Sequence, residues 1–215
     1  MLLQHRLPAV VILVTTSVSC AGVAARGRPP IVQPGAPGAP SRILTPEQAA
    51  GLSRPRFTQA DVAFMQGMIV HHGQAVDMTN LLKTRTASED MKKLALRIEL
   101  SQADEIKMME RWLRDRGQAL PDPHAAHVHE GLMMPGMLTE AQLNQLGAAA
   151  GVEFDRLFLE DMIRHHDGAL IMVQQLLATA GAAQDADVFT FISDIDSDQR
   201  MEMERMGAML KELMK

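Results

Sequence analysis

Cysteine is nearly missing from this chain: Cys20 is the single one among 215 residues. Beyond it there is no thiol, which excludes disulfides, thiolate metal sites and cysteine nucleophiles from any folded domain that follows. A long apolar run is missing as well. Residues 1–25 carry Arg6, then apolar residues from Ala9 to Val14, then Ser17, Ser19, Cys20 and Ala21. That pattern reads as a signal peptide, too short and interrupted for a transmembrane helix. Val23-Ala24-Ala25 suits ordinary cleavage, whereas Cys20 suits a lipidated N-terminus, so the expected location is the periplasm or outer cell envelope, with a membrane tether under the second reading. A basic excess is the third absence. From Phe57 onward 15 Lys plus Arg face 25 Asp plus Glu, a formal charge of −10, which disfavours nucleic acid and mildly favours cations.

What is present begins with a tether over residues 26–43. Six of the eleven prolines fall between residues 29 and 46, with Gly35 and Gly38 among them, so the segment is expected to be extended, spanning about 50 Å at about 3.1 Å per residue. Residues 44–215 then suffice for one well-packed domain.

That domain is duplicated. Met68-Ile69-Val70-His71-His72 returns as Met162-Ile163-Arg164-His165-His166, 94 positions later. Leu44-Thr45-Pro46-Glu47-Gln48 and Leu138-Thr139-Glu140-Ala141-Gln142 keep the same offset, as do Asp61 and Asp155, Phe64 and Phe158, and Met78 and Met172. Helical periodicity predicts long helices over about 58–83, 86–116, 152–180 and 185–214, the second opened by a capping box at Thr86-Ala87-Ser88-Glu89, and the second and third closed by Gly117 and Gly181 respectively. Little argues for strands. Gln102 and Glu105 interrupt the apolar stripe of the second helix as Gln199 and Glu202 interrupt that of the fourth, at an offset of 97, so the second hairpin turn is expected to be three residues longer. Two helical hairpins joined by a Pro-rich crossover predict an all-α four-helix bundle with pseudo-twofold symmetry.

Seven of the eight histidines and sixteen of the seventeen methionines lie in this domain. Thioether sulfur is a soft neutral ligand and imidazole an intermediate one, so a Met/His site without thiolate selects copper, Cu(I) above all and Cu(II) at the histidines. Met68 precedes His71 and His72 by one helical turn, and Met162 stands likewise to His165 and His166. Inward-facing Met109 and Met206 extend the candidate set. Glu105 and Glu202 are expected to face the histidines across each hairpin, accepting their second ring N–H or ligating directly. The crossover adds His124, His127, His129, Met134 and Met137, read either as metal capture or as solvated linker. Imidazole of ordinary basicity predicts metal release below about pH 6.

The two Met-Ile-x-His-His runs, Met134-Pro135-Gly136-Met137 before Leu138-Thr139, Phe154-Asp155-Arg156-Leu157-Phe158-Leu159, and Gln-x-x-Glu at Gln102/Glu105 and Gln199/Glu202 together resemble the exported bacterial family known as domain of unknown function 305. The resemblance covers about residues 44–215. It implies a ferritin-like helical bundle, copper binding with a part in copper tolerance, and His71, His72, His165 and His166 with their Met partners as ligands; envelope copper-handling proteins are the implied partners.

Two other readings stand beside a copper carrier. A di-iron carboxylate oxidase requires a Glu on each of two helices plus two Glu-x-x-His pairs, and no Glu precedes a bundle histidine by three residues. A structural or adaptor bundle, in which Met and His only pack and the Gln/Glu pairs fix helix register, is the remaining one.

Overall fold

In the computed structural model the described residues are 29–33, 40–50, 57–123 and 133–215. Residues 1–25, read as a signal peptide, with Cys20 among them, and the crossover histidines His124, His127 and His129 lie outside them. Two compact units divide between Leu52 and Ser53. In the first, strands β1 (Ile31–Gln33) and β2 (Arg42–Leu44) pair antiparallel, Ile31 opposite Leu44, and are followed by the short helix α1 (Pro46–Ala50). The stretch expected to be a plain extended tether thus holds a small ladder, for which the β-branched Ile31, Val32 and Ile43 are suited. The helix read as opening the bundle groups instead with these strands, and none of its residues is buried.

The second unit is helical. Its long helices are α2 (Gln59–Arg85), α3 (Glu89–Asp115), α5 (Gly151–Leu177) and α6 (Ala186–Leu213), with the short α4 (Glu140–Ala148) after the crossover. Thr58 and Asp61 form a reciprocal capping box on α2, and Thr139 with Gln142 forms one on α4, each satisfying N–H groups that a helix start leaves open. At α3 the cap is Ser88, which accepts from Met91 N; Thr86 instead accepts from Ser88 N. The capping box read at Thr86 is therefore displaced by one short turn. Gly117 (φ 66°) follows the cap of α3 in left-handed conformation as the sequence predicts, whereas α5 ends at Leu177 and Gly181 (φ 79°) falls within the following connection.

Helix α2 packs along α3 and α5 along α6, and the hairpins meet through α2 and α5. The interior is two apolar clusters. One gathers Met65, Met68 and Ile69 of α2, Met109 and Trp112 of α3, Ala169 and Met172 of α5 and Ile192 and Ile195 of α6. The other gathers Ala75, Met78 and Leu82, Leu94 and Ile98, Phe158 and Met162, and Met206 from the same four helices. On every helix the residues between the two clusters are polar: His71 and His72, Gln102 and Glu105, His165 and His166, Gln199 and Glu202. The bundle is thus apolar, polar, apolar along its length.

The last part of the crossover is clamped over the α2/α5 seam. Gln74 exchanges two hydrogen bonds with the Leu138 backbone, at 2.9 and 2.7 Å. A Cβ at Gly168 would run into the Pro135 carbonyl, and one at Gly73 into that of Pro123. Gly136, at φ 78°, rests on the Arg164 and His165 carbonyls. Mid-helix glycine costs about 1 kcal/mol relative to alanine, and here it permits backbone to lie directly on helix. Gly168→Ala and Gly73→Ala should therefore each lower unfolding free energy by about 1–3 kcal/mol. Gly207→Ala, with open space around it, should raise it by about 0.5–1 kcal/mol. Urea midpoints check both directions.

Candidate metal centre

The four histidines of the polar layer are all buried, between 0 and 1% exposed. Adjacent residues on a helix point about 100° apart, so each pair splits its duties. His72 turns to α3, its Nε2 2.6 Å from Glu105 Oε2. His166 turns to α6, its Nε2 2.7 Å from Glu202 Oε2. His71 and His165 meet each other across the seam, ring centroids 3.9 Å apart at 40°. Met68, Met109, Met162 and Met206 are fully buried, each about one turn from the polar layer on its own helix.

The hydrogen bonds determine which ring nitrogen carries the proton. A carboxylate or carbonyl only accepts, so the nitrogen facing it is N–H in a neutral ring. His72 and His166 donate from Nε2 to their glutamates, and His71 donates from Nε2 to the Pro135 carbonyl at 3.0 Å. His165 turns a buried Nε2 to its surroundings with no hydrogen-bond partner. What remains is Nδ1 of His71, His72 and His166 and Nε2 of His165, all buried and without a hydrogen bond. Each is a bare lone pair in an apolar surrounding, a condition that costs about 1–3 kcal/mol per atom. Gln102 and Gln199 add an unpaired buried Oε1 each.

Burial keeps the His71 and His165 rings neutral. Burial pushes the His71 pKa down to about 3, assisted by the neighbouring His72 and by His166 and opposed by the Pro135 hydrogen bond. Burial likewise holds His165 well below its ordinary value, with His71, His166 and His72 acting in the same direction. Glu105 is pulled both ways: burial raises it, but the His72 hydrogen bond and charge, with the Ser101 hydroxyl at 3.2 Å, hold it below the usual carboxylate range. Glu202 is the more enclosed glutamate, with Arg97 Nε 3.6 Å from Oε1.

Of the described crossover methionines Met133 is exposed, but Met134 and Met137 are not solvated linker. Met137 is 5% exposed, and the Met134 sulfur packs over Gly67 beside the Met172 methyl. The sequence reading missed Gln74, the Pro135 carbonyl and the glycine contacts that set the His71 tautomer; Gly73 and Gly168, helix-interior glycines next to histidine, were the available signal. Among the described residues no group of three or more His, Cys, Asp or Glu converges on one metal position. A metal here has to be content with few imidazoles or with thioether, which is the donor preference of a soft ion.

A family model described as a domain of unknown function (DUF305) matches residues 61–210. Solved structures are similar over most of the chain. A DUF305 fragment from Deinococcus radiodurans is 32% identical, with TM-score 0.63, covering 74% of this chain and 99% of that one. A candidate secreted DUF305 protein from Streptomyces coelicolor is 29% identical, with TM-score 0.61, covering 72% and 93%. CopM is similar in its Cu(II)-bound form, at 27% identity and TM-score 0.58 over 71% and 96%, and in its Cu(I)-bound form, at 26% and 0.56 over 73% and 98%. No curated protein matches.

Buried neutral imidazoles make stability depend on pH with a definite sign. Because His71 and His165 are lowered in the fold, the unfolded chain binds more protons below its ordinary imidazole value of about 6.5. Their contribution is complete above that pH and is lost as pH falls toward the folded values. Between pH 6.5 and 5, above the carboxylate range, the two rings together should remove about 3 kcal/mol of unfolding free energy, at about 1.4 kcal/mol per unit per ring. Urea denaturation at half-unit steps reads this directly, and a flat profile over that window would overturn the neutral assignment.

Proposed function

Since the chain belongs to the DUF305 family, whose members include exported bundles, we propose that it is a copper-binding protein of the cell envelope that buffers Cu(I) or hands it on, and also accepts Cu(II) at its histidines. The observation that carries the reading is the set of four buried ring nitrogens without a partner, three of them on rings whose other nitrogen faces a carboxylate or carbonyl acceptor. Locking one nitrogen to a carboxylate or carbonyl is how proteins orient imidazole toward a metal and raise its basicity. In this proposal His71, His72, His165 and His166 ligate, with Met68 and Met162 as the nearest thioethers in sequence and Met109 and Met206 behind them. Glu105 and Glu202 act through the histidines. The likeness to CopM in both copper-bound forms supports the choice of metal.

On this reading the protein is a carrier and not a catalyst. Both glutamates are engaged by histidine N–H groups, leaving no carboxylate pair to bridge two irons in the manner a di-iron oxidase requires. Export and a lipid tether at Cys20 belong to the same proposal, as does a copper-handling partner in the envelope. Among the described residues no helix is long and apolar enough to cross a membrane.

Competition of the purified protein against a chromophoric Cu(I) chelator tests the proposal, with affinity expected at micromolar or tighter. Replacing His71, His72, His165 and His166 together by Gln should weaken it at least 100-fold. Glu105→Gln and Glu202→Gln should each weaken it about 10–100-fold through the ring they orient. Copper retention should persist at pH 5, because burial keeps His71 neutral down to about 3, and the release below about 6 expected of ordinary imidazole should not occur. Absence of competition by the native protein would sink the reading. Copper binding unchanged in the fourfold variant would move the site elsewhere.

A further inference from the structure

The outward face of α3 has no counterpart in the second repeat. Leu94, Ile98 and Gln102 are buried, so Leu96 and Leu100 point to the opposite side of the helix, where they are 54 and 59% exposed. The offset of 97 that relates Gln102 to Gln199 puts Ser193 and Ser197 at these positions on α6, both exposed. The bundle itself therefore does not call for leucine here. Leucines one turn apart make a single apolar spot, and exposed charges continue the row: Glu89 and Lys93 toward one end of α3, Asp104 and Lys107 toward the other. Glu89 pairs with Lys92, Lys93 with Asp90 and Lys107 with Asp104. Such exposed pairs within one helix hold their side chains weakly and exchange partners at little cost.

This row is complementary to itself. An antiparallel pair of α3 helices, related by a twofold axis level with Ile98, sets Leu96 against the partner's Leu100, Glu89 against the partner's Lys107 and Lys93 against the partner's Asp104, each contact made twice. The charges nearest the axis are turned aside to their own chain, Arg97 to Glu202 at 3.6 Å and Glu99 to Lys83 at 2.9 Å. From Phe57 onward the chain carries −10, yet six of its fifteen Lys and Arg lie on α3 against seven carboxylates, so this helix repels a second copy least. The corresponding face of α6 gives the leucines nothing apolar to cover. We propose that two copies of this protein associate through the outward faces of α3, with four leucines at the centre and two ion pairs at either end. One helix face buries less than the about 1,200 Å² at which stable complexes begin, so the dimer is reversible. The histidine layer lies on the other side of α3, and the inference does not rest on the copper reading.

Sedimentation equilibrium of the full-length, metal-free protein from micromolar to millimolar concentration tests this, with a monomer–dimer equilibrium expected. Leu96→Glu and Leu100→Glu should each weaken association at least about tenfold, because each puts an unpaired charge under the contact on both sides of the axis. Asp104→Lys, which meets the partner's Lys93, should also weaken it, and Lys93→Asp combined with Asp104→Lys should restore most of it, a recovery that damage to the fold does not produce. Ser197→Glu, at the matching place on α6, should leave association unchanged. A monomer at every concentration, a dimer undiminished by Leu96→Glu and Leu100→Glu, equal loss in Ser197→Glu, or no recovery in the double reversal would overturn the proposal.

Discussion

An imidazole buried with one nitrogen committed and the other bare is the constraint around which this bundle is built. The His72 to Glu105 and His166 to Glu202 bonds run within each hairpin, and the His71/His165 contact runs between hairpins. Together they tie all four long helices at mid-height. Apolar packing could fill that layer at lower cost, since removing both partners of a buried polar pair is often neutral or stabilising. Retaining eight polar side chains between two apolar clusters therefore makes sense as function. The apolar halves above and below supply the stability that such a layer gives up, and they exclude the water that would otherwise satisfy the open nitrogens.

Symmetry and its breaking divide the labour. The two Met-Ile-x-His-His runs give equivalent rings with equivalent glutamates, yet the crossover covers the seam once. Pro135 accepts from His71 Nε2, whereas His165 Nε2 has no partner. The two tilted rings thus leave different nitrogens unpartnered, Nδ1 and Nε2. Exposure differs too, the Glu105 side chain being 18% exposed and that of Glu202 5%. A duplicated sequence thus produces two halves with unequal access to solvent. The same inequality recurs at the ends of the bundle, where the connection of residues 178–185 supplies Ala183 N to Asp61 Oδ1, while Asp155 Oδ1 has no partner.

Much of this was legible in order along the chain. Period-3.6 patterning, the helix start at Thr139 and the glycine at 117 are local signals, set by backbone sterics and by hydrogen bonds spanning a few residues. They place the four long helices, and the 94-residue offset places the repeat. Glu105 and Glu202 were also readable, because a charged residue inside an apolar helical stripe has to find a partner on the facing helix. The expectation of a soft metal came from donor chemistry, which needs only residue types and their spacing.

Other features depend on segments that come together from distant parts of the chain. That both histidines of each pair are buried could not be read from α2 or α5 alone, since a single helix buries one face and would leave His71 toward water; it is the crossover, clamped by Gln74, that covers the second face. Which ring nitrogen is bare depends on the Pro135 carbonyl, 64 residues from His71. Spacing within a helix determines which side chains share a face, and so the chain alone establishes a duplicated bundle with a Met/His/Glu belt. Protonation state, tautomer and enclosure are decided only once four helices and a crossover exclude water from the same few ångströms, because desolvation is a property of the whole surround and not of any residue's neighbours in sequence.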